Sequence, residues 1–139
     1  MNEYSFNELT VGMECEFSHS FSIEQMEIFS KLSGDNNPLH TDIEFAKAHG
    51  YESCVVFGML TASLLSTLGG VYLPGKNCLI QGVDISFSRP VYPMDEILVK
   101  GKIVEIFESV GQVVIRVDMY NQKKEKVLRG KMKVGMING

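Results

Sequence analysis

The chain has 139 residues, 45% of them apolar and 22% charged, enough for one domain with a real core over residues 1–139 and too few for two ordinary ones. A domain of this size hides roughly two thirds of the surface its unfolded chain exposes, which sets aside disorder, coiled coil and a disulfide scaffold. Thirteen Lys and Arg against 17 Asp and Glu leave a formal net charge of −4, the wrong sign for the broad positive field that a nucleic-acid backbone requires.

The start, Met1-Asn2-Glu3-Tyr4, lacks the positive region and apolar run of a secretion signal. No stretch approaches the roughly 18 apolar residues of a membrane span. Cys15, Cys54 and Cys78 are odd in number, widely spaced and without a C-x-x-C pair, a usage that fits a reducing compartment and small core residues. A cytoplasmic protein with no membrane partner is expected.

In chain order, Glu14 to Phe21 reads as a strand, with Cys15, Phe17 and Phe21 on one parity. Ser22 and Gln25 have capping-box spacing, and Ile23, Met26, Phe29 and Leu32 recur at helical intervals opposite Glu24, Glu27 and Lys31. Asp35-Asn36-Asn37-Pro38 is expected to stop that helix. Asp42 can cap a short turn through Ala48, ended by His49-Gly50. A greasy helix is expected from Gly58 through Leu65 and Leu68 to Gly69-Gly70, apolar on most sides and therefore buried.

After Gly75 the period changes to two. Leu79 to Phe87, Glu96 to Phe107, Gln112 to Tyr120 and Lys126 to Val134 are rich in Val and Ile and separated by turn signals. The implied architecture is α+β, an antiparallel sheet against one buried helix. That plan leaves a strand edge to cover, for which a homodimer is the economical solution.

The densest polar stretch is Ser33-Gly34-Asp35-Asn36-Asn37-Pro38-Leu39-His40. It can be a well-made loop in which Asp35 caps amides, the asparagines hold a turn and Pro38 stiffens it. It can equally bring Asp35 and His40 together as a carboxylate and imidazole that hold a water and move protons near neutral pH. Metal binding by Asp35, His40, Asp42 and His49 is disfavoured, since His40 and His49 lack the i, i+4 spacing of a helical ligand pair. No phosphate-binding glycine loop is present.

Residues 33 to 40 resemble the signature of the MaoC-like, R-specific enoyl-CoA hydratases. The likeness continues through Phe57-Gly58-Met59-Leu60, Leu73-Pro74-Gly75 and Phe87-Ser88-Arg89-Pro90-Val91-Tyr92-Pro93, from about residue 11 to 134. The resemblance implies the hot dog fold, with a central helix from Gly58 wrapped by the sheet and active sites near a dimer interface. It implies reversible hydration of trans-2-enoyl thioesters to R-3-hydroxyacyl thioesters, on a coenzyme A or acyl-carrier-protein arm, with no metal or redox cofactor. On that basis Asp35 and His40 form the catalytic pair and the Gly58 amide is the oxyanion donor. Asn37 holds the loop or touches the thioester arm, and Ser66 matches a polar position of the acyl pocket or simply permits close packing.

Two residues depart from the family pattern. Phe57 stands where a histidine is usual, and Cys54 where proline is common. The Phe57 ring is expected to pack by the substrate at the helix entrance and exclude water. Rival readings are a hot dog acyl-CoA thioesterase and a non-catalytic acyl-thioester binding protein.

Overall fold

The computed structural model describes residues 1–137. The apolar, β-branched runs of the second half form an antiparallel sheet: β1 (Glu14–His19), β2 (Cys78–Phe87), β3 (Ile97–Phe107), β4 (Gln112–Tyr120) and β5 (Lys126–Met136), in the order β1-β3-β4-β5-β2. Alternation along the strands separates the faces. Ile97, Val99, Ile103, Ile115, Val117, Met119, Leu128, Met132 and Val134 are buried on one side, while Lys100, Arg116, Arg129, Lys131 and Lys133 face outward.

The concave face holds the helix begun at Gly58. Its path runs as α4 (Gly58–Ala62), α5 (Leu64–Thr67) and a π-helical turn over Leu68–Tyr72; the other helices are α1 (Ile23–Ser33), α2 (Pro38–Thr41) and α3 (Ile43–Ala48), which precede it. The interruption between α4 and α5 has a local cause. The Ser63 hydroxyl donates to the Leu60 carbonyl at 2.5 Å and the Ser63 amide is shared between Met59 and Leu60 carbonyls, the back-bonding by which serine distorts a helix.

The helix also passes the expected stop at Gly69-Gly70 and continues to Tyr72, where the Leu73 amide reaches back to the Leu68 carbonyl at 2.8 Å. Gly69 serves packing instead: a Cβ there would lie 2.9 Å from Cys78 Sγ. On the sheet side Gly101 does the same for Leu68, whose methyl carbons would meet its Cβ at 3.0 Å. Two glycines thus let helix and sheet approach, and Leu68 is fully buried between them, worth about 1.5–3 kcal/mol for its side chain.

Helix α1 begins at the expected capping box, with Ser22 and Gln25 each accepting from the other's amide at 3.0–3.1 Å. It stops earlier than the proline suggests. Gly34, at φ 80°, closes it in the left-handed conformation, and Pro38 opens the new helix α2 with Asn37 as its cap. The apolar face of α1 is also less covered than its periodicity implies: Met26 is buried, but Ile23 and Leu32 are 62% and 82% exposed, because none of the described elements packs extensively along α1.

This is the hot dog fold, an α+β architecture with the antiparallel sheet curled around one helix. Its two edges differ. β1 is short and carries Glu14 and Glu16 outward, whereas β2 is ten residues long and exposes Leu79, Ile80, Val83 and Phe87. Among the described residues no helix is long and apolar enough to cross a membrane. All three cysteines are free and half-buried; burial pushes the thiols of Cys15 and Cys78 up to about 11, so both are uncharged packing groups at neutral pH.

Candidate active site

The polar loop is organised from its backbone outward. The Ser30 hydroxyl donates to the Asp35 carbonyl at 2.7 Å, and the Asp35 amide donates to Ser33 Oγ at 3.2 Å. Asp35 Oδ1 accepts from the Asn37 amide at 3.0 Å. One carboxylate oxygen therefore sets the turn, and Oδ2 makes no hydrogen bond to the described residues. Asn37 Oδ1 accepts from the Leu39 amide at 3.0 Å as the cap of α2, which is the loop-holding role.

Helix α2 is one turn long and carries His40 on a fixed support. His40 Nδ1 lies 2.7 Å from the Val55 carbonyl. A carbonyl can only accept, so the neutral ring carries its proton on Nδ1 and presents Nε2 as the basic nitrogen. The Val55 amide in turn donates to the Leu39 carbonyl at 3.1 Å, and the Val56 amide to the Val91 carbonyl at 2.8 Å. These bonds tie α2, the segment entering α4 and the start of the β3 approach into one frame.

Phe57 completes the support. It is 2% exposed, and its ring stacks on His40 with centroids 4.2 Å apart and planes at 27°. Phe29 of α1 packs on it at 4.9 Å. Phe57 therefore lies behind the imidazole, packed at the entrance to the central helix as its cap residue, and is not among the residues lining either groove that His40 borders.

Two grooves meet at His40. One, of about 470 Å³, lies toward α1 and is lined by Met26, Ser30, Thr41, Ser53 and Cys54. The other, of about 290 Å³, is bordered by His40, Gly58, Thr61, Phe87 and Arg89. In the second the Gly58 amide opens the central helix and has no acceptor among the described residues, and the Phe87 ring covers its Cα so closely that a Cβ would lie 3.2 Å away.

The structure thus joins His40 and Gly58 in one groove and sets Asp35 and Asn37 on the loop that leads to His40. No hydrogen bond joins the Asp35 carboxylate to the imidazole. Ser66 is exposed on α5, two turns beyond Gly58, and borders neither groove. Asp42 caps α3 through the Glu44 and Phe45 amides, and His49 Nδ1 meets the Phe45 carbonyl at 2.8 Å, so both are committed to local structure. Sequence reasoning missed Val55, whose backbone carbonyl carries no side-chain signal, and Thr61, which sits three residues past Gly58 and so on the same helix face.

The site therefore offers an imidazole of defined tautomer and an unpaired helix-start amide beside one groove, with a carboxylate on the adjoining loop, on a hot dog fold. The profile of the MaoC like domain family matches residues 6–127, and the chain belongs to that family. It is 38% identical over 105 residues to the (R)-specific enoyl-CoA hydratase of Aeromonas caviae, covering 76% of this chain and 78% of that protein. It is 37% identical over 102 residues to the mitochondrial 3-hydroxyacyl-[acyl-carrier-protein] dehydratase FERN of Solanum lycopersicum, covering 73% of this chain and 61% of that one. The solved structure of the (R)-hydratase from A. caviae superposes with a TM-score of 0.88 at 32% identity, over 93% of this chain and 98% of that one. Unliganded R-hydratase PhaJ1 from Pseudomonas aeruginosa gives 0.88 at 27% identity, over 96% and 86%. The protein is a lyase.

Proposed function

We propose that the chain, acting as one MaoC-like domain, adds water R-specifically and reversibly across trans-2-enoyl thioesters on coenzyme A or an acyl carrier protein. The observation that carries this is the groove shared by His40 and the unpaired Gly58 amide. Water must reach C3 of the enoyl chain while a proton is delivered to C2. His40 Nε2 and the free oxygen of Asp35 orient that water and handle its protons. The Gly58 amide, at a helix start, stabilises the enolate-like oxygen that develops on the thioester, a contribution of about 3 kcal/mol for one preorganised donor.

The direct test is the absorbance of a conjugated enoyl thioester. Its decay without release of free thiol is expected. Thiol release in step with the decay would assign the protein to the thioesterases, and no change at all would make it a binding module.

Arg89 is the one Lys or Arg that borders this groove, and it is held by Glu125 at 3.3 Å while remaining more than half exposed. Its charge suits the anionic arm of such a substrate. Arg89→Ala is expected to raise KM for an enoyl-CoA by about 3- to 10-fold with kcat little changed, as removal of uniform binding does. An unchanged KM would remove Arg89 from the binding surface.

The long, apolar edge of β2 supports a homodimer, because a ten-residue strand paired with β5 on one side only, with exposed Leu79, Val83 and Phe87, leaves its outer edge as an open template for another strand. Light scattering is expected to give twice the 15.5 kDa chain mass. Val83→Lys, placing a charge on that edge, is expected to shift the mass toward the monomer; a monomeric wild type at micromolar concentration would refute the assignment.

A further inference from the structure

Thr61 is 2% exposed, and its hydroxyl oxygen is the single buried side-chain nitrogen or oxygen without a hydrogen-bond partner among the described residues. Buried polar atoms nearly always have one. A threonine within a helix ordinarily finds it in the carbonyl three or four residues back. The Phe57 carbonyl, four residues back, already accepts from the Leu60 and Thr61 amides, and the Thr61 hydroxyl bonds neither it nor Gly58. Ser63, two residues on, does make such a bond, so the helix itself does not forbid it.

A valine has nearly the same shape and would spare the chain the desolvation of that hydroxyl. The oxygen therefore weakens the fold at a residue of the central helix that borders the groove of His40 and Gly58. From Gly58 to Thr61 is three residues, so both lie on the same helix face. A change between the two rotamers open to a helical threonine swings the hydroxyl by about 120°, and its residue already lines the groove with Gly58.

We propose that Thr61 is a substrate-contacting residue whose hydroxyl donates a hydrogen bond to the thioester carbonyl of a bound acyl chain, beside the Gly58 amide. The proposal rests on the acyl-thioester reading of this groove. The cost of stripping water from the donor already falls on the free protein, so an incoming carbonyl gains the bond with no further penalty on that side.

The test compares wild type with Thr61→Val, which removes the hydroxyl, and Thr61→Ser, which keeps it. Three quantities are measured: thermal unfolding, calorimetric binding of butyryl-CoA, which cannot be hydrated, and hydration of crotonyl-CoA. Thr61→Val is expected to unfold at or above the wild-type temperature, yet to bind butyryl-CoA about 5-fold more weakly and to lose about 10-fold in kcat/KM. Thr61→Ser should stay within about 3-fold on both. A purely structural hydroxyl would not move stability and binding in opposite directions.

Thr61→Val that binds and turns over within twofold of wild type overturns the proposal. So does a variant that loses stability and binding together with no rescue by serine. A wild type that binds butyryl-CoA through Thr61 but leaves crotonyl-CoA untouched would refute the hydratase reading while supporting the contact. A wild type that binds no butyryl-CoA overturns both.

Discussion

His40→Gln is expected to lower kcat/KM for a short trans-2-enoyl thioester by about 10²- to 10⁴-fold, the range of a positioned acid or base, while leaving a folded protein. The glutamine amide can still donate to the Val55 carbonyl that now receives Nδ1–H, so the support of α2 survives and the basic nitrogen does not. Asp35→Asn is the matching change on the carboxylate. Its side-chain oxygen can still accept from the Asn37 amide, so the turn persists while the negative charge is lost. If the two groups handle one water together, the double variant falls little below either single one, because groups acting as a unit are strongly non-additive. Steady-state kinetics on the three variants, with thermal unfolding as the control for folding, reads the outcome. Near wild-type turnover in either single variant would sink the pair.

Phe57→Ala is expected to cost about 3–5 kcal/mol of stability, as truncation of a buried aromatic does, and to lower Tm by on the order of 10 °C. The ring is among the largest fully buried side chains, and its two aromatic neighbours, His40 and Phe29, would be left facing a void. Turnover should fall as well at temperatures where the variant is still folded, since the imidazole loses the face that fixes its tilt. Phe57→His places the residue usual in the family at a buried site packed against the Phe29 and His40 rings, so a modest loss of stability and hydration within about tenfold of wild type are expected. A rise of more than about 100-fold would mean that Asp35 and His40 are not competent without the histidine, and that the native chain is closer to a binding module.

What the amino-acid order determines by itself here is what depends on near neighbours. The strand runs, the Ser22 and Asp42 caps and the polar turn before His40 are set by period, capping chemistry and short-range hydrogen bonds, and each is present within a residue or two of its expected place. Where neighbours offered two uses for a residue, the fold chose. Gly69 looked like a helix stop and is a contact point with Cys78; Pro38 looked like a stop and is a start. Ile23 and Leu32 follow a helical period and still face outward, because periodicity states which side is apolar and not whether anything lies against it. The site shows the same division. The loop signature pointed to Asp35 and His40, but the tautomer of His40 is decided by the Val55 carbonyl fifteen residues away, its tilt by the Phe57 ring, and the company of Thr61 and Gly58 by the way the central helix settles into the sheet. Those are long-range contacts, made by backbone atoms and packed rings, and only the tertiary structure brings them into reach.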